Sequence, residues 1–67
     1  MAVDYTDWIE RADALRVSSP LLARATGISV HTVRAYRSRR FNPPADRLAR
    51  IERVLAAMEA VERMGAA

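Results

Sequence analysis

Arg34, Arg37, Arg39 and Arg40 place four guanidinium groups within a single short stretch, and Ser29, Val30, His31 and Thr32 lie just ahead of them. A guanidinium is always charged and offers a planar fork of donors that fits phosphate oxygens or the O6 and N7 edge of guanine. Hydroxyls and an imidazole add short-range donors and acceptors. Such a set holds and orients an anion. Catalysis is not expected of it, because the lone histidine has no cysteine partner, the serines are explained as helix caps, and no paired carboxylates sit in a plausible cleft. With no cysteine and one histidine, neither a disulfide nor a structural zinc site is expected. No cofactor or small-molecule ligand is expected either.

Charge is distributed unevenly along the chain. Residues 1–13 carry Asp4, Asp7, Glu10 and Asp13 against Arg11, a net of −3, and residues 14–50 carry eight arginines against Asp46, a net of +7. The remainder, with Arg53 and Arg63 against Glu52, Glu59 and Glu62, is −1, so the overall +3 conceals a strongly basic middle. All eleven basic residues are arginine. A concentrated positive field attracts polyanions and releases their counterions on binding.

The elements that must position these groups follow from a turn at Gly27. A tight turn between packed helices needs a residue at positive φ, which glycine adopts without a Cβ penalty. Ala23 is small enough for close helix approach, and Leu22, Ile28, Val33 and Tyr36 complete an apolar set. Ser19 followed by Pro20 reads as an N-cap and first helical residue, and Ser29 as the cap of a helix starting near Val30. The expected pattern is all-α with four helices. The first runs from about Asp4 or Thr6 to Arg16, with Trp8, Ile9, Ala12 and Leu15 on one face. The second spans about 20–26 and the third about 30–39. Phe41, Asn42, Pro43 and Pro44 break the chain, with Phe41 and Trp8 read as core, and a long helix follows over about 44–64. The helix-turn-helix itself occupies about 19–39.

Ala23, Gly27 and Val33, with Leu22, Ile28 and Tyr36, resemble the helix-turn-helix signature of bacterial and phage repressors. RRFNPPADRLARI resembles the loop and following helix of Cro/CI-type (XRE-like) regulators, and the resemblance covers roughly residues 17–55. The chain departs from that pattern in a very short N-terminal part and in one long last helix where the family has two short ones. Small phage autoregulators, including the anti-CRISPR-associated repressors, are similar in size and organisation. The resemblance implies a lambda-repressor-like domain and a sequence-specific transcriptional repressor or autorepressor that binds an inverted repeat of double-stranded DNA as a homodimer.

With Val33 and Tyr36 inward, a helical wheel turns His31, Arg34, Ala35 and Ser38 outward. In a major groove the first residues of a reading helix lie closest to the bases. Ser29, Val30, His31, Arg34 and Ser38 are the expected base readers, with Arg34 directed at guanine and Val30 at a thymine methyl. Ser18, Ser19, Thr32, Arg37, Arg39 and Arg40 are the expected phosphate contacts. Arg24 is left unassigned. Arg47, Arg50 and Arg53 read as a solvated face, Arg47 and Arg50 within reach of acids.

Sixty-seven residues lie near the lower limit for a self-sufficient core, so a second copy aids stability as well as function. The wide apolar stripe of the last helix supplies its expected interface: Val54, Ala57, Met58, Val61 and Met64. Two other functions fit the residues less well. TGISVHTVRAYR also resembles the reading helix of excisionase-like and MerR-like winged modules, and a helical adaptor would bind a protein through the last helix. No apolar stretch reaches the ~18 residues that cross a bilayer, and the acidic N-terminus is unlike a signal peptide, so a cytoplasmic location is expected.

Overall fold

The computed structural model describes residues 7–65. Among them are four helices and no strand: α1 (Asp7–Ala14), α2 (Ser19–Thr26), α3 (Val30–Arg37) and α4 (Ala45–Gly65). The fold is all-α with a long final helix, as the periodicity predicts. The expected start of α1 at Asp4 or Thr6 lies outside the described residues. α4 follows α3 after the proline loop, with no strand between them to form a wing.

The helix ends show how local sequence sets the architecture. α2 is capped by Ser18, not Ser19: the Ser18 hydroxyl accepts the Leu21 N–H at 3.2 Å. Pro20 therefore falls one residue deeper in the first turn, where its missing N–H still leaves no helical bond unmade. Ser29 caps α3 as expected, accepting the Thr32 N–H at 3.2 Å. Gly27 ends α2 at φ +76°, its N–H donating to the Ala23 carbonyl at 2.9 Å. An added Cβ there would meet only the Arg50 guanidinium at 4.0 Å, an ordinary contact, so the backbone angle rather than lack of space calls for glycine.

α1 and α3 end differently from expectation. Both stop two residues early, and a residue at positive φ follows each: Arg16 at +57° and Arg39 at +63°. Arg16 donates to the Asp13 carbonyl and Val17 to that of Ala12; Arg39 donates to Tyr36 and Arg40 to Ala35, all at 3.0–3.1 Å. These paired bonds are the Schellman motif, with arginine where glycine is usual.

The core is built from all four helices. Trp8, Leu22, Val33, Ile51 and Leu55 are essentially inaccessible, and Ile9, Ala12, Ala23, Ile28, Tyr36 and Leu48 join them. Removing each larger side chain from water stabilises the fold by about 1.5–3 kcal/mol. Val17, between α1 and α2, is also buried, as is Thr26, whose hydroxyl donates to the Leu22 carbonyl at 2.7 Å. Phe41 is not in this core: it is 61% exposed. The early end of α3 and the left-handed turn at Arg39 redirect the chain so that Pro43 is the buried residue of the loop.

Three ties fasten the helices at their edges. Arg11 of α1 grips Glu59 of α4 through two bonds, Nη2 to Oε1 at 2.6 Å and Nε to Oε2 at 3.1 Å. Arg47 of α4 donates to the Tyr36 hydroxyl at 2.9 Å, and Arg50 donates to the Thr26 carbonyl at 3.3 Å while pairing with Asp46 at 3.5 Å. A 21-residue helix is about 30 Å long, whereas α1, α2 and α3 have eight residues each. The residues from Val61 to Gly65 at the end of α4 are all exposed.

Candidate nucleic-acid interface

α3 presents one side to the core and the other to solvent. Val33 and Tyr36 are buried; His31, Arg34 and Ser38 are exposed and Ala35 half-exposed between them. His31, Arg34, Ala35, Ser38 and Arg40 line an open recess of about 400 Å³. The wheel thus brings four of the outward residues together, and the turn after α3 adds Arg40 to them. Ala35 forms the low floor, with cationic and hydrogen-bonding groups around it.

The remaining predicted readers and positioners fall as follows. Ser29 is exposed, but its hydroxyl is engaged with Thr32, whose own hydroxyl lies 2.8 Å away. Val30 is half-buried against the core edge, which leaves only part of it at the surface. Ser38 donates to the Ala35 carbonyl at 3.0 Å and remains exposed. Ser18 is exposed at the start of α2, while Ser19 is half-buried and accepts from Arg37 at 3.4 Å. Arg39 and Arg40 are exposed, and among the described residues neither they nor Arg34 pair with a carboxylate.

Arg37 departs from the expected phosphate contact. Its guanidinium donates to the Val17 carbonyl at 2.7 Å and to the Asp13 carboxylate at 2.7 Å, with its side chain 19% exposed. It ties the end of α3 to the turn between α1 and α2. The partner is 24 positions away, a distance over which spacing carries no signal. Arg47 likewise has a structural partner, the Tyr36 hydroxyl, which raises its guanidinium above the ordinary value.

The expected interface on α4 divides in two. Val54 and Met58 are half-buried and pack against the chain's own core, whereas Ala57 is exposed, as are Val61 at 68% and Met64 at 78%. The core line Leu48, Ile51, Leu55 would continue at Glu62, a charged and exposed residue, so the apolar line shifts around the helix. Val61 lies about 100° round from the Ile51–Leu55 direction.

No group of His, Asp or Glu side chains that would hold a metal ion is present among the described residues, and no described helix is long and apolar enough to cross a membrane. Set against known protein families, curated proteins and solved structures, the chain matches none.

Proposed function

We propose that this protein is a sequence-specific regulator of transcription that binds double-stranded DNA through α3. The observation that carries this reading is the α3 recess lined by Arg34 and Arg40, which, like the adjacent Arg39, pair with no carboxylate among the described residues. A major groove admits an α-helix, and Arg34, in mid-helix with His31 one turn before it, is suited to a guanine edge. Arg39 and Arg40, just beyond the helix, serve the phosphate backbone and so set register without reading sequence. Exposed Ser18 and half-buried Thr32 would assist them, and exposed Ser38 would complete the outward rim.

Repression by occupying promoter DNA requires no catalytic group. A second copy, joined through Ala57, Val61 and Met64, would present two reading helices to an inverted repeat. Fluorescence anisotropy of a labelled duplex across a salt series tests the DNA reading. With two or more phosphates neutralised, log K falls against log salt with a slope of about −2 or steeper. A helical adaptor with no affinity for DNA gives no saturable signal at any salt.

A further inference from the structure

Three helices of this chain end in the left-handed region, and only one does so on glycine. α2 ends on Gly27 at φ +76°, whereas α1 and α3 are followed by Arg16 at +57° and Arg39 at +63°. Glycine occupies that conformation at no steric cost, while residues with a Cβ are strained there. The two arginine turns also have the full pair of Schellman bonds, which glycine would make equally well. Their side chains add nothing visible to the fold: both are exposed, and among the described residues neither pairs with a carboxylate or donates a side-chain hydrogen bond. Asp13, the acid in the same turn as Arg16, is held by Arg37 instead.

The same Arg37 brings the two turns together. It leaves α3 two residues before Arg39, and its Nη1 sits 2.7 Å from the carbonyl of Val17, the residue after Arg16. The backbone carrying Arg16 is therefore fastened to the C-terminal end of α3, beside Arg39 and Arg40. We infer that Arg16 is a further phosphate-positioning residue. It extends the cationic border of the α3 surface onto the α1–α2 turn, and its guanidinium is kept there at the expense of backbone ease. This inference rests on the proposed DNA-binding function.

The test compares the full-length protein with Arg16→Gly and Arg16→Lys, each measured by thermal unfolding and by duplex binding across salt. Arg16→Gly relieves the left-handed strain, so Tm rises on the order of 4 °C. The same variant loses one phosphate contact, so the slope of log K against log salt shrinks by about 0.9, equivalent to about an 8-fold change in relative affinity per decade of salt. Arg16→Lys keeps the charge and the strained angle, so it retains most of the affinity with no gain in Tm. Wild-type affinity and slope in Arg16→Gly would overturn the inference while leaving the DNA reading intact, and so would a lowered Tm. Absence of salt-dependent duplex binding by the wild type would remove both.

Discussion

At the scale of single residues, similar side chains have divergent roles that their positions decide. Arg34 and Arg37 are one turn apart on the same helix, yet Arg34 is exposed on the recess and Arg37 is bonded to Asp13, Val17 and Ser19. Losing a charged hydrogen-bond donor from a half-buried site costs about 1–3 kcal/mol. Arg37→Ala is accordingly expected to lower Tm by several degrees while leaving the salt slope of DNA binding unchanged. A normal Tm with a reduced slope would return Arg37 to the phosphate contacts that its place in the arginine run suggested. Arg40→Ala, on an exposed residue outside the core, should leave stability within about 0.5 kcal/mol.

At the scale of elements, α1 and α4 are joined by the Arg11–Glu59 pair as well as by core packing. The Arg11 hydrogen bond holds the Glu59 carboxyl below its ordinary value of 4.5. A carboxyl with a lowered folded value stabilises the fold above its unfolded value, and the contribution fades as pH falls through the folded one. The Tm of the wild type should therefore exceed that of Glu59→Gln above about pH 4.5, the two curves converging on acidification. Parallel curves across that range would show that the pair is not coupled to folding.

Much of this architecture was legible from local chemistry. Gly27, Ser29 and the alternation of buried positions at Leu22, Val33 and Tyr36 placed α2 and α3, because turns, caps and helical period are short-range properties. The exposed rim of the α3 surface followed from the same period. What escaped was set by contacts distant in sequence or by unusual backbone angles. Arginine at Arg16 and Arg39 gave no hint of a left-handed helix end, since glycine or asparagine is the usual marker. Phe41 was hydrophobic and adjacent to prolines, but the turn before it decides which loop residue is buried. The Asp13–Arg37 pair spans 24 positions and becomes visible only when α1 and α3 are brought together.

At the scale of the whole molecule, the basic α3 side is accompanied by an apolar end of α4 that stays exposed among the described residues. Ala57, Val61 and Met64 of α4 remain at the surface, a smaller patch than the stripe read from sequence. A small core and an exposed apolar helix end both favour association. If two copies join there, the bound DNA must carry two matching half-sites, their centres about 10 base pairs or a multiple apart.

Selection of bound sites from a pool of random duplexes, carried out in parallel with the wild type and Arg34→Ala, tests the central claim that α3 reads DNA sequence. The wild type is expected to enrich a short inverted repeat with a guanine in each half-site, and Arg34→Ala to lose preference at that guanine while retaining the other positions. Recovery of an unrepeated site would contradict the paired arrangement alone. No enrichment by the wild type, or identical preferences in the two proteins, would contradict the assignment of α3 and Arg34 as the readers.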